Sequence, residues 1–308
     1  MRFNKTFLSV LGLFAGLSIY AQQEVSRPKL VVGIVVDQMR WDYLYRYQDR
    51  YSTGGFNRML NEGFSNENTY IPYIPTYTAI GHSTIYTGSV PAIHGIAGND
   101  FIIQATGEEM YCTQDDAVNG VGTTTKAGKM SPKNLLTSTV TDQLKLATNF
   151  RSKVFGVSLK DRGGILPAGH FADAAFWFDG ESGNWISSTF YMNELPKWLQ
   201  KFNDKKLTEK YLDKWNTLYP IDTYVQSEKD GNPYRENYKG LDKMQFPYDL
   251  KALKKANGLG LIRSTPFGNT LTKDIAIEII DNEKLGQNAK GVTDFLAVSF
   301  SSTDYVGH

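Results

Sequence analysis

The sequence predicts an α/β fold, with a mainly parallel central sheet flanked by helices and an inserted cap region. Three observations lead there. The runs LVVGIVVD (30–37) and FLAVSFSSTD (295–304) are apolar and β-branched, like strands buried on both faces of a parallel sheet. Strand-like runs alternate with stretches of helical spacing. A polar, aromatic and lysine-rich stretch, 192–260, interrupts that alternation.

In order, residues 30–37 form the first expected strand. GGFNRMLNEG sets Phe56, Met59 and Leu60 at helical spacing and stops at Gly63, a C-cap type. Residues 64–70 read as a second strand, and 78–87 as a helix ended by Gly88. Residues 131–149 read as an amphipathic helix and 154–160 as another buried strand. AFWFDGESGNWISSTFY (175–191) holds two aromatic runs around Asp179-Gly180 and Gly183-Asn184, a hairpin pattern. The insert is expected over about 175–265. Residues 269–286 follow as a helix with Ile275, Ile279 and Ile280 on one face, and then the last strand. No internal repeat or low-complexity segment appears.

The N-terminus begins MRFNKTFLSVLGLFAGLSIYAQ. Arg2 and Lys5, an apolar run over 7–20 and Ala21 make a signal-peptide layout over 1–21. The run is shorter than the roughly 18 residues of a membrane span. The expected fate is export to a Gram-negative periplasm or beyond, with no stable membrane partner past the export machinery; the alternative is an uncleaved anchor. Net charge is +1, so no bulk basicity points to nucleic acid. The one cysteine, Cys112, excludes an internal disulfide. Residues 22–308 read as one α/β domain; at this chain length roughly 75% of the unfolded surface is buried.

In such folds ligands sit beyond the carboxyl ends of the strands. Asp37 ends the first strand, Thr78 opens a helix, Lys160 and Arg162 follow a strand, and Asp304 ends the last one. Asp304 and His308 stand four residues apart, a spacing that sets a carboxylate and an imidazole on one helical face and suits zinc. Each has a plain alternative. Aspartate often ends strands, and Thr78 is by default an N-cap. Lys160 and Arg162 could be solvated, and Asp304 with His308 could be a cap and a surface histidine. As a set they match phosphoryl chemistry. Negative charge must be neutralised, and a threonine hydroxyl needs activation that two metals can supply. A helix N-terminus, a lysine and an arginine fork suit the remaining oxygens. His82, one turn from Thr78, reads as packing or support, and His94 and His170 as structural. Cys112 reads as unreactive, Arg40 and Asp42 as a pair near a helix start, and the irregularly spaced tyrosines as packing.

GIVVDQMRWDYL, IPTYTAIGHSTIYTGSVPAIHGIAGND, VSLKDRGGILPAGH and SFSSTDYVGH together resemble the alkaline phosphatase superfamily. Within it they are similar to the exported, phosphate-irrepressible alkaline phosphatases of the Bacteroidetes type, relatives of the type I phosphodiesterase/nucleotide pyrophosphatase branch. The resemblance implies a phosphate monoester hydrolase with two zinc ions, acting on small phosphate esters. It implies Asp37 as a metal ligand and Thr78 as the metal-contacting nucleophile, transiently phosphothreonine. It further implies Asn99, Lys160 and Arg162 as phosphate contacts, and Asp304 and His308 as ligands of one zinc. The family's second zinc site draws on residues beyond position 308. The chain is therefore expected to be a C-terminally incomplete fragment, with little activity and poor zinc affinity alone. One rival is a phosphodiesterase or nucleotide pyrophosphatase; another is an inactive exported binding module. A sulfatase is disfavoured, because no Cys or Ser stands in a C/S-x-P-x-R context.

Overall fold

The structure is a computed structural model describing residues 27–226, 237–243 and 245–307. The proposed signal peptide and His308 lie outside the described residues. Among the described residues ten strands follow in chain order: β1 (Leu30–Val36), β2 (Asp100–Ile103), β3 (Glu108–Tyr111), β4 (Gly120–Val121), β5 (Val154–Ser158), β6 (Ala174–Asp179), β7 (Asn184–Ser188), β8 (Lys214–Trp215), β9 (Tyr248–Asp249) and β10 (Asp294–Phe300). Six form one sheet in the order β1-β10-β5-β6-β7-β4. β1, β10, β5 and β6 run parallel, and β7 returns antiparallel against β6. The architecture is the expected mainly parallel α/β sheet.

Side chains alternate across this sheet, as a pleat requires. Phe155, Val157, Phe176, Phe178, Leu296 and Val298 point into one core, against Leu271, Ile275 and Ile279 of the Pro266–Glu283 helix. The opposite face carries Ala175 and Trp177 against Ile165 and Ala168, and Phe295 and Ala297 against Tyr86. The helices Thr78–Thr87 and Asp161–Ala168 therefore lie on that second face, together with Val140–Ala147. The fit is close: a Cβ on Gly156 would come within 2.1 Å of the Gly164 carbonyl oxygen, so a strand glycine is needed under the Asp161–Ala168 helix.

The last expected strand, 295–304, stops at Phe300, and Asp304 lies in the Ser302–Gly307 helix instead of ending a strand; other segments also differ from the sequence reading. Residues 64–70 are irregular rather than a strand, and Phe64 is 94% exposed. Asn66 and Asn68 favour turns, and no period-two alternation marks a buried face. The helix expected over 131–149 spans only Val140–Ala147; it starts where Thr139 and Asp142 form a reciprocal capping box. β1 is not buried on both faces. It pairs only with β10 among the described residues, and Val32 and Ile34 are exposed.

Two further segments bear on the expected insert. Residues 174–188 are strands of the central sheet. The stretch beyond them sends Leu199, Phe202, Leu250 and Leu253 into the main core.

Candidate functional site

The parallel register brings three distant segments to one edge of the sheet. Val36 of β1 lies opposite Phe300 of β10, and Ser299 lies opposite Ser158 of β5. The chain leaves these strands at Asp37, at Lys160 and in the Ser302–Gly307 helix that carries Asp304. Asp37 is tied back by its N–H to the Phe300 carbonyl (3.0 Å). It is followed by Gln38 in left-handed backbone (φ 52°), uncommon for a residue other than glycine and frequent near active sites.

Lys160 is the hub. Its ammonium donates to Asp37 Oδ2 (2.8 Å), to Thr78 Oγ1 (3.0 Å) and to Asp304 Oδ2. The Lys160 side chain is 2% exposed. An ammonium has three donors, and here all are used. The two carboxylates exceed the one ammonium in charge, so the cluster as a whole is anionic. The ring of Tyr305 lies 5.0 Å from the ammonium.

Thr78 is not the N-cap. Tyr77, in extended backbone, holds that position, and Thr78 is the first helical residue. Its side chain makes no capping bond and instead meets Lys160. The next amide, Ala79 N–H, donates to Asn99 Oδ1 (3.1 Å). Asn99 is thus fixed by its oxygen, and Nδ2 remains as its donor end. Arg162, in the first turn of the Asp161–Ala168 helix, donates through Nη1 to the Tyr111 hydroxyl (2.9 Å).

His82 belongs to the cluster as support. It is buried; Nδ1 faces the Thr78 carbonyl (2.8 Å), and Nε2 faces Ser299 Oγ (2.9 Å) and Asp37 Oδ1 (3.4 Å). A carbonyl can only accept, so Nδ1 carries a proton, while the Ser299 hydroxyl lies between Nε2 and Asp37 Oδ1. Burial pushes the imidazole below its ordinary value, against the opposing pull of Asp37. The spacing of four from Thr78 was the only sequence signal for His82, and nothing marked Ser299. His94 is structural: Nδ1 accepts from Ile96 N–H, and Nε2 meets Thr84 Oγ1. Cys112 is fully buried, which pushes its thiol up and leaves it unreactive. Arg40 pairs with Asp42 (3.0 Å) beside a helix start.

Asp37, Thr78, Asn99, Lys160, Arg162 and Asp304 therefore share one edge of the sheet; His308 lies outside the described residues. Among the described residues no three His, Cys, Asp or Glu side chains converge on one point. Two carboxylates and a hydroxyl do converge around one positive charge, that of Lys160. Such an oxygen-rich, net anionic set fits a divalent cation in charge and donor type.

Residues 31–308 match the family described as type I phosphodiesterase / nucleotide pyrophosphatase. Over its whole length the chain is 65% identical to a Myroides odoratus protein named calcium-transporting ATPase, of which it covers 56%. It is 56% identical to the alkaline phosphatase PhoV of Synechococcus elongatus, with 93% of this chain and 52% of that protein covered. It is 54% identical to the alkaline phosphatase PafA of Elizabethkingia meningoseptica, with 99% and 56% covered. The crystal structure of wild-type PafA superposes with a TM-score of 0.89, covering 93% of this chain and 55% of that one. The chain spans about half the length of these curated relatives. With its family's fold and nearly its full length matched, the chain belongs to the type I phosphodiesterase / nucleotide pyrophosphatase family.

Proposed function

We propose that the protein is a zinc-dependent phosphate monoester hydrolase that works through a covalent phosphothreonine on Thr78. The observation that carries this reading is the meeting of Thr78 Oγ1 with Lys160 Nζ at a helix N-terminus flanked by Asp37 and Asp304. The alkaline phosphatases PhoV and PafA support it. The name of the Myroides protein is compatible with the same chemistry, because an ATPase also breaks a bond to phosphorus.

Asp37 and Asp304 would hold a metal through their carboxylate oxygens, with Thr78 Oγ1 beside them. Bound zinc supplies a Lewis acid that eases ionisation of the Thr78 hydroxyl and offsets charge on the phosphoryl oxygens. Thr78 Oγ attacks phosphorus as the bond to the ester oxygen breaks, and the departing oxygen takes up a proton. Water then attacks the phosphothreonine, the Oγ–P bond breaks, and inorganic phosphate leaves. Lys160 donates to the ionising hydroxyl and favours its anion. The Asn99 amide and the Arg162 guanidinium donate to the non-bridging oxygens, and the amides at the helix start favour the same negative charge.

The family description favours a second reading, a phosphodiesterase or nucleotide pyrophosphatase. The Arg162 guanidinium, which no carboxylate pairs with among the described residues, supports the monoester reading, since a monoester dianion carries extra charge for it to offset. Comparing kcat/KM for p-nitrophenyl phosphate and its methyl diester on the intact protein tests the choice. A clear monoester preference is expected; a diester preference overturns it. Export is proposed on residues 1–21 alone, and recovery of the mature protein from periplasm or medium checks it.

A further inference from the structure

The hairpin β2–β3 carries more than Asn99. Asp100, next to Asn99, pairs with Tyr111 across the hairpin, and Cys112 N–H donates to the Asn99 carbonyl (2.8 Å). Asn134 Nδ2 bonds the carbonyls of Tyr111 and Cys112 from the other side (3.3 and 3.2 Å). Buried Cys112 packs in a small core with Ala79, Ile96, Leu135 and Leu166. That core joins the hairpin to the helix bearing Thr78 and to the helix bearing Arg162.

At the end of the hairpin, the Tyr111 hydroxyl accepts from Arg162 Nη1 (2.9 Å) and donates to Asp161 Oδ1 (2.7 Å). Thr113 Oγ1 donates to the same carboxylate oxygen (2.8 Å). Burial, reinforced by Asp161, pushes the phenol far above its ordinary value, so it remains a donor. Two consequences follow. A neutral hydroxyl stands between Asp161 and Arg162, and no carboxylate bonds Arg162 directly among the described residues. The guanidinium is thus held from one side without being neutralised. Its Nε–H is buried and has no partner, which leaves a charged donor ready for an anion.

We propose that Tyr111 is a positioning residue for Arg162, holding the guanidinium for a phosphate oxyanion while keeping it apart from Asp161. The hairpin β2–β3 thereby sets Asn99 and Arg162 in one frame. Fixing an arginine costs rotamer entropy, and a prior bond to Tyr111 reduces what the ligand must supply.

This inference rests on the reading of Arg162 as a phosphate contact, so its test measures binding apart from turnover. Inorganic phosphate is titrated calorimetrically into the intact, zinc-loaded protein as wild type, Tyr111→Phe, Arg162→Ala and the double variant. Tyr111→Phe is expected to weaken phosphate about fivefold when Arg162 is present and less than about twofold when it is absent, as two coupled residues require. An equal loss in both backgrounds, or no loss in either, overturns the proposal, since a merely structural tyrosine would act without regard to Arg162. If Tyr111→Phe does not fold, Asp161→Asn carries the same cycle. Monoester turnover of the wild type is recorded in parallel. Phosphate binding without turnover sinks the hydrolase reading and leaves the cycle to judge Tyr111, whereas absence of phosphate binding sinks both.

Discussion

The two ends of β5 hold buried lysines in nearly the same way, and only one end looks built for chemistry. At the amino end, Lys145 donates to the Ser152 carbonyl (3.0 Å) and to both oxygens of Asp173 (3.0 and 2.9 Å). Asp173 also accepts from Val154 N–H (2.7 Å). At the carboxyl end, Lys160 likewise uses three donors, on Asp37, Thr78 and Asp304. Geometry does not distinguish them; charge and partner type do. Lys145 meets one carboxylate and a carbonyl that has no chemistry to do. Lys160 meets two carboxylates and a hydroxyl, an arrangement with surplus negative charge and an ionisable oxygen beside a cation. Saturated, balanced pairs hold an element in place; an unbalanced one invites a further cation.

The largest effect that would break this contrast is Thr78→Ala. Removing the hydroxyl should lower monoester turnover of the intact protein by on the order of 10³-fold or more. The protein should stay folded, with a loss of stability of no more than about 1–3 kcal/mol from the Lys160 donor left without the hydroxyl. Turnover within tenfold of wild type would remove the special status of the carboxyl end. Next in size is Arg162→Ala, measured as kcat/KM for a monoester and its methyl diester. On the proposed reading the monoester should lose about 10–100-fold more, since the guanidinium would offset its extra charge; equal losses would favour the diesterase reading.

Much of this was legible in the sequence, for definable reasons. Runs such as residues 154–158 and 295–300 announce burial through composition, and an aspartate or lysine just past such a run lands at the sheet edge whatever the neighbours are. Asp37, Lys160 and Asp304 were found that way. The order of the strands was not legible, because the apolar run of β1 looks the same at an edge as at the centre. The plain alternative of Thr78 as an N-cap fails because the one-residue shift of the cap to Tyr77 depends on backbone angles, which spacing does not show. His82 and Tyr111 matter through partners far along the chain; the His82–Ser299 bond spans 217 positions. Local spacing carries no trace of such bonds.

A smaller effect is expected from Lys145→Met at the amino end. It should lower unfolding stability by about 1–3 kcal/mol, read from the urea midpoint, while activity per folded molecule stays unchanged. Loss of activity without loss of stability would mean that the two lysines are not divided as charge balance says.

The smallest effect lies at the same amino end and concerns pH. Asp142 caps the Val140–Ala147 helix and accepts from Thr139 N–H, Phe171 N–H and His170 Nδ1, while His170 Nε2 meets the Leu135 carbonyl. Gly169, just before His170, has φ 79°, and a Cβ there would come within 2.6 Å of Asp142 Oδ1, so the turn that delivers the ring needs glycine. Both ring nitrogens face acceptors, so the ring carries both protons. The hydrogen bond to Asp142 raises the His170 pKa, with burial opposing it. A raised folded-state value means that the contribution is fully present below the unfolded value, about 6.5, and is lost as pH climbs through the folded one. His170→Gln should therefore lower the melting temperature most at pH about 5.5, and the gap to wild type should narrow toward pH about 9. A gap that widens with pH would show that the imidazole is neutral there, and that this end of the sheet is not held by a charged pair.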